Sequence, residues 1–191
     1  MLTDRDNEIL DFVKQYGGIT INQCKSLFYN TKYGYDTAKR RLRSLHQEGY
    51  LKADRDFLSN KIIYYNYKKL SSHSILLLDF YSRLIGEGAE VVLFKREFKT
   101  PGARADGFII FKYKNMAKML LVEVDINNRT KIDKYKRCYD EGYFQKQFGA
   151  FPVVMIVEKK KKEREKKEGS KEIKYKVVRV DYSYSDLSVI I

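Results

Sequence analysis

Apolar residues recur at helical spacing in the first part of the chain. Between Thr3 and Tyr16 they fall every three or four positions, which predicts a helix that begins at a Thr3 or Asp4 cap and stops at the "GG" pair. The segment "ITINQCKSLFY" has the same pattern. It predicts a short second helix with Thr20 as its N-cap, because a threonine hydroxyl can accept a hydrogen bond from a free backbone N–H of the first turn.

A third helix and a hairpin are predicted next. In "TAKRRLRSLHQEGYL" the residues Ala38, Leu42 and Leu45 line one face, so we expect a helix that ends at Gly49. The segment "YLKADRDFLSNKIIYYNYK" contains two β-rich runs around a polar turn. Three helices followed by a hairpin resemble a winged helix-turn-helix DNA-binding domain, over roughly the first 70 residues.

The second half changes from a helical pattern to strand patterns. "SILLLDFYSRLI" predicts a helix closed by "GEG", and "EVVLFKREF", "DGFIIFKY" and "KMLLVEVDI" predict three strands. A capping-box-like start at Thr130 and Asp133 predicts a further helix, and "FPVVMIV" and "IKYKVVRV" predict two more strands. The charged run "EKKKKEREKKEGSKE" between those strands predicts a mobile loop or a solvated hairpin extension.

The net charge favours a polyanionic partner. The chain has 38 Lys and Arg against 25 Asp and Glu, a formal charge of +13, which favours nucleic acid ahead of an anionic membrane surface. The apolar runs are too short to span a bilayer, and the N-terminus lacks the pattern of a secretory signal. We therefore expect a cytoplasmic protein with no membrane partner. Two separated cysteines and two histidines favour neither a zinc site nor a disulfide.

The third helix is the strongest candidate for contact with double-stranded DNA. Its outward face is rich in hydroxyl, ammonium and guanidinium groups, which suit phosphates and guanine edges, while tyrosines precede it and cations lie in the predicted wing. The predicted DNA-binding residues are Thr37, Lys39, Arg40, Arg41, Arg43, Tyr35, Arg55 and Lys61. Winged helices also act as protein-interaction modules, and a cationic helix face can be merely a solvated one.

Three carboxylates form the second candidate site. Asp106 begins one predicted strand, and Glu123 and Asp125 lie near the end of the next. Residues two apart in a strand point to the same face, about 7 Å apart, so Glu123 and Asp125 could bind one cation such as Mg²⁺ together with Asp106. A metal held in this way would polarise a phosphoryl oxygen and lower the pKa of a bound water.

The order helix, three strands, helix, strand resembles the core of restriction-endonuclease-like, or PD-(D/E)xK, nucleases. By that resemblance Asp106 matches the first metal-binding carboxylate and Glu123 the second, but Asp125 stands where the family has its lysine. A replacement cation could come from Lys131, Lys134 or Arg104. Active nuclease, vestigial metal site and an ion-pair network of those cations with the three acids all remain open.

A second resemblance covers most of the chain. A predicted winged helix followed by "ADGFIIF" and "LVEVDINNRTKIDKY" resembles the replication-relaxation family of plasmids and conjugative elements. In this sequence Ala105 replaces the proline of that family's turn before Asp106 and Gly107, while the Glu123, Val124, Asp125 signature is intact. The resemblance implies a mobile-element protein that binds the element's DNA during replication or transfer.

The predicted fold class is therefore α+β with two domains. Residues 1–70 form a winged helix-turn-helix DNA-binding domain, and residues 71–191 form a restriction-endonuclease-like α/β domain with an αβββαβ core that lacks robust catalysis. The expected function is DNA binding in plasmid replication or conjugative transfer, with a homodimer or replication and transfer proteins as further partners. The alternatives are a Mg²⁺-dependent DNA endonuclease targeted by its winged helix and a transcription repressor.

Overall fold

The computed structural model describes residues 2–159, 174–184 and 190. Most of the lysine-rich run for which the sequence predicts a loop, residues 160–173, lies outside that set. The chain divides into two compact units, Met1–Gly88 and Ala89–Ile191. One contains helices and a three-stranded sheet, and the other contains helices and a five-stranded mixed sheet, so the α+β class is confirmed.

The first unit contains helices and strands in the predicted order, with one short strand added. Its elements are α1 (Asp4–Tyr16), β1 (Ile19–Thr20), α2 (Ile21–Phe28), α3 (Gly34–Gln47), β2 (Lys52–Arg55), β3 (Ile62–Tyr65) and α4 (Ser72–Gly86). The antiparallel sheet has the order β1-β3-β2. Strand β1 was not predicted, because two residues are too few to show strand periodicity.

The first two helices begin where their capping residues predict. Thr3 and Thr20 each accept a hydrogen bond from the backbone N–H three residues later, and the side chains of Asp6 and Gln23 accept bonds from the backbone N–H of the capping residues. These two capping boxes satisfy N–H groups that have no partner inside a helix. Gly17 ends α1 in the left-handed region, with φ 87°.

Helix α3 begins at Gly34, three residues before the predicted "TAKRR" segment. A Cβ at Gly34 would lie 1.7 Å from the carbonyl oxygen of Tyr29, so the chain can enter the helix here only because glycine has no side chain. The predicted inner face is confirmed, since Ala38, Leu42 and Leu45 are fully buried.

Helix α4 packs within the first unit. The buried Gln23 donates to the carbonyl oxygen of Ile75 (3.2 Å) and to Asp79 Oδ1 (2.7 Å), and Lys61 Nζ lies 2.8 Å from Asp79 Oδ2. These contacts tie α4 to α2 and to the start of the wing strand. The two compact units consequently divide after Gly88, whereas the sequence placed the boundary between residues 70 and 71.

The second unit is built on one mixed sheet. Its elements are β4 (Glu90–Thr100), β5 (Ala103–Tyr113), β6 (Met116–Asp125), a 3-10 helix (Ile132–Tyr135), α5 (Lys136–Asp140), α6 (Tyr143–Phe148), β7 (Val153–Glu158) and β8 (Val177–Asp181). The strand order is β4-β5-β6-β7-β8, antiparallel through the first three and parallel from β6 to β8.

The helices of the second unit pack on one face of the sheet. Phe108, Leu121 and Ile156 of the strands meet Tyr135 and Phe144 of the helical segment in one buried cluster. The rings of Phe108 and Phe144 lie 5.3 Å apart, centroid to centroid. This packing fixes the helical segment beside the end of β6 that carries the candidate carboxylates. Within the described part of the chain, no helix is both long and apolar enough to cross a membrane.

Candidate functional site

The exposed face of α3 carries three cationic side chains. Lys39, Arg40 and Arg43 are exposed, and among the described residues none of them has an ion-pair partner. Thr37 is less accessible, since its hydroxyl donates to the carbonyl oxygen of Tyr33 within the first turn (3.2 Å). The structure therefore brings together the central part of the predicted DNA-binding set.

Arg41 differs from the other predicted cations of α3. Its guanidinium makes two charge-assisted hydrogen bonds to the carboxylate of Asp6, whose side chain is 0% exposed. The hydrogen bond from Arg41 is the main reason why the pKa of Asp6 is lowered to about 2. Because Arg41 holds α3 against α1, we leave it out of the candidate DNA surface.

The two predicted wing cations also have different surroundings. Arg55 lies in the exposed part of the hairpin, where its guanidinium donates to the backbone oxygen (3.2 Å) and the side-chain oxygen (3.1 Å) of Asn60. Lys61 is turned toward α4 and pairs with Asp79. Arg55 is available at the surface, whereas the charge of Lys61 is neutralised within the unit.

The wing lies beside the exposed face of α3. Burial raises the pKa of Tyr64 in β3, and the positive charge of nearby Arg43 acts in the opposite direction. Tyr35, which is half exposed, adds to the rise in the pKa of Tyr64. His46 near the end of α3 stacks edge-on with Tyr64, with 6.4 Å between ring centroids. Strand β3 of the hairpin therefore packs beside α3.

The three candidate carboxylates lie close together on neighbouring strands. Strands β5 and β6 are antiparallel with Gly107 opposite Val122, so Asp106 and Glu123 are neighbours across the two strands. Glu123 and Asp125 are both buried, at 4% and 8% exposure. The predicted proximity of Asp106 to Glu123 is therefore present.

Glu123 is held by two residues of the 3-10 helix. The Tyr135 hydroxyl donates to Glu123 Oε1, and Lys134 Nζ lies 2.7 Å from the same oxygen. Burial raises the pKa of Glu123, while the hydrogen bonds from Lys134 and Tyr135 oppose that rise and the charge of Asp106 adds to it. Lys134 also donates to the carbonyl oxygen of Arg104 (3.0 Å), which fixes its position between the two segments.

Asp125 and Asp106 accept hydrogen bonds from other donors. Thr130 donates to Asp125 Oδ1 through its hydroxyl (2.7 Å) and to Asp125 Oδ2 through its backbone N–H (2.9 Å). Asp106 Oδ2 accepts from the backbone N–H of Val124 (2.7 Å). The Tyr182 hydroxyl donates to the backbone oxygen of Asp125 (2.6 Å). Each acid thus has its own donors from the protein.

This arrangement does not fit the three-carboxylate Mg²⁺ site expected from the sequence. Across the described residues, no three His, Cys, Asp or Glu side chains are arranged to hold one metal ion. An ammonium group already lies against Glu123, the acid expected to be a central ligand. The arrangement agrees better with the ion-pair alternative, but with Lys134 as the cation, since Arg104 pairs with Glu97 (2.6 Å) and Lys131 is exposed.

Sequence reasoning missed the polar roles of Thr130 and Tyr135. Both residues were assigned to the following helix, with Thr130 as part of its cap. In the structure Tyr135 is buried and bonds to Glu123, while Thr130 bonds to Asp125. The spacing of five residues between Asp125 and Thr130 was the available signal, because it allows a short loop to return to the carboxylate.

A further acidic row lies at the carboxyl ends of the parallel strands. Asp125, Glu158 and Asp181 are in register across β6, β7 and β8, and Arg179 pairs with Glu158 (3.1 Å). The cation of this row is paired, whereas α3 carries exposed cations without an ion-pair partner among the described residues, so the basic surface of the first unit is the better candidate for nucleic acid.

Comparisons of the chain with protein-family models, with curated proteins and with solved structures gave no match.

Proposed function

We propose that this chain binds duplex DNA through α3 and the adjoining hairpin, acting as a winged helix-turn-helix. The observation that carries the proposal is the division of the cations on α3. Arg41 is paired with Asp6, whereas Lys39, Arg40 and Arg43 are exposed and have no ion-pair partner among the described residues. Cations left unpaired on an exposed helix are suited to phosphates, and arginine is suited to guanine edges.

The proposed biological role is in the replication or conjugative transfer of a plasmid or another mobile element. It rests on the resemblance of "ADGFIIF" and "LVEVDINNRTKIDKY" to the replication-relaxation family. In this proposal the second unit is a nuclease-like domain without robust catalysis. The contacts that support this view are those of Glu123, which is bound by Lys134 and Tyr135 in the position where a nuclease would hold its metal.

The proposal is tested by measuring affinity for duplexes that the wild-type chain selects from a randomised pool. We expect Arg40→Ala or Arg43→Ala to weaken binding about tenfold or more if that arginine reads a base. Arg83→Ala is the matched control, because Arg83 is an exposed arginine of α4 that pairs with Glu87, the residue just after that helix. Equal affinities for the α3 variants and the control, or no duplex binding by the wild type, would reject the proposal.

A further inference from the structure

The tip of the hairpin presents apolar side chains to solvent. Phe57 is fully exposed and Leu58 is 42% exposed, in the turn between β2 and β3. Single exposed apolar residues are common on protein surfaces and need no explanation by themselves. This pair differs from a single exposed residue because hydrogen bonds hold its turn in place and a cation lies next to it.

The turn is held in one conformation by a buried carboxylate. Asp56 Oδ2 accepts hydrogen bonds from the backbone N–H and the hydroxyl of Ser59, each 2.7 Å long, and Asp56 Oδ1 accepts from the Ser72 hydroxyl (2.6 Å). The backbone N–H of Asn60 donates to the carbonyl oxygen of Asp56 (2.9 Å). Phe57 and Leu58 are therefore presented on a fixed turn, which lowers the entropy lost when they bind a partner.

An exposed cation adjoins the tip. Arg55 is exposed immediately before Asp56 and is oriented by Asn60, and Lys52 is exposed in the same strand. Lys69 pairs with Asp54 (2.9 Å), so the acid between these two cations is neutralised. An apolar turn with a cation beside it is complementary to a DNA groove, whose edges are lined by phosphates.

The size of the tip favours DNA over a protein surface. A stable protein interface buries about 800 Å² on each partner, far more than two side chains at a turn can provide. By contrast, a single apolar side chain can enter between two stacked base pairs. The DNA that bends as a result contacts more of the protein surface. His46 of α3 lies edge-on to Tyr64 of β3, with 6.4 Å between ring centroids, so the hairpin that carries the tip packs beside α3.

We infer that Phe57 acts as an apolar wedge that enters the minor groove beside the α3 site and partly unstacks one base step, with Leu58 widening the contact. This inference rests on the proposed DNA binding and specifies how the hairpin takes part in it. Kinking at the wedge would favour sequences with a flexible pyrimidine–purine step at one fixed distance from the site read by α3.

The test uses the full chain and short duplexes selected by the wild type from a randomised pool. Base unstacking is followed with 2-aminopurine placed at successive positions, and bending is followed by energy transfer between dyes at the two ends. Tyr67→Ala is the matched control, because Tyr67 is also a strongly exposed aromatic residue of this unit but lies beyond the other end of β3.

We expect wild type and Tyr67→Ala to raise 2-aminopurine fluorescence at one position and to bend the duplex. Phe57→Ala should abolish both signals and weaken binding about tenfold, while Phe57→Leu should retain part of each, because a smaller apolar side chain still enters the step. Circular dichroism should be the same for all variants, since Phe57 makes no buried contact.

Three outcomes would overturn the wedge. If Phe57→Ala unstacks and bends the selected duplex as the wild type does, DNA binding stands and the wedge is rejected. If Phe57→Ala alters only binding to vesicles of phosphatidylcholine and phosphatidylserine, the tip is a membrane contact. Failure of the wild type to bind any duplex rejects the proposed function and the wedge with it.

Discussion

Asp6 of α1 and Arg41 of α3 form a two-point ion pair across 35 positions of the sequence. The carboxylate is buried and also takes part in the capping box of Thr3, so one acid joins the start of α1 to the middle of α3. Neighbouring arginines on one basic helix therefore have different roles. Arg41 stabilises the unit, whereas Arg40 and Arg43 remain accessible to a ligand.

The first prediction separates these roles. Arg41→Ala should lower the free energy of unfolding by about 3 kcal/mol, because it leaves the Asp6 carboxylate buried without its cation. Arg40→Ala should change stability by less than about 0.5 kcal/mol, as expected for an exposed residue, yet weaken DNA binding. Urea unfolding and duplex affinity, measured on both variants, check these two expectations. Equal stability losses, or a greater loss of DNA affinity in Arg41→Ala, would contradict this assignment.

The second prediction concerns acid. Because the pKa of Asp6 is lowered from 3.8 to about 2, its contribution to stability is complete above pH 4 and is lost as pH falls toward 2. That contribution is about 2 kcal/mol. We expect the difference in unfolding free energy between wild type and Asp6→Asn to be largest near neutral pH and to shrink between pH 4 and pH 2. A difference that is constant over that range would contradict the shift.

The third prediction concerns Gly34 at the start of α3. Gly34→Ala places a methyl group 1.7 Å from the carbonyl oxygen of Tyr29, so the entry to α3 has to move. We expect a loss of stability of about 3 kcal/mol, the upper range for overpacking, and weaker DNA binding because α3 shifts. Gly49→Ala is the control: it has open space around it but a φ of +82°, and should cost about 1 kcal/mol. Thermal unfolding of both variants checks whether Gly34→Ala loses more stability than Gly49→Ala.

In the first unit, local sequence patterns predicted the helices but not the long-range contact of Arg41. The helices of the first unit and their buried faces were predicted, because caps and apolar periodicity are local signals. The pairing of Arg41 with Asp6 was not, since nothing local distinguishes Arg41 from Arg40. The same limit applies to α4, which is joined to the first unit by Gln23 and Lys61 from distant segments.

In the second unit, local patterns were sufficient to predict the strands and the closeness of Asp106 to Glu123. They could not predict what neutralises the acids. Three cations were candidates, and the packing of Tyr135 against the sheet brings Lys134 rather than Lys131 to Glu123. Which cation lies against Glu123 thus depended on side-chain geometry that only the folded chain provides.

The fourth prediction uses salt. If Lys39, Arg40 and Arg43 each neutralise one phosphate, removing any one should reduce the slope of log affinity against log salt by about 0.9. The wild-type slope and those of three single alanine variants are measured on the same selected duplex. Arg83→Ala should keep the wild-type slope, because its side chain pairs with Glu87 just after α4. A salt-independent affinity in the wild type would contradict an electrostatic DNA interface.

The last prediction concerns the pair formed by Glu123 and Lys134. We expect no cleavage of supercoiled, linear or single-stranded DNA in magnesium or manganese, because Lys134 and Tyr135 already bind the Glu123 carboxylate and Thr130 binds Asp125. Lys134→Ala should instead lower stability by about 2 kcal/mol, since Glu123 remains buried without its cation. Because the double variant Glu123→Gln with Lys134→Met removes both charges together, it should recover most of that loss. Metal-dependent cleavage that disappears in both Glu123→Gln and Asp106→Asn would show that the acids are catalytic and that the pairing with Lys134 gives way to a metal.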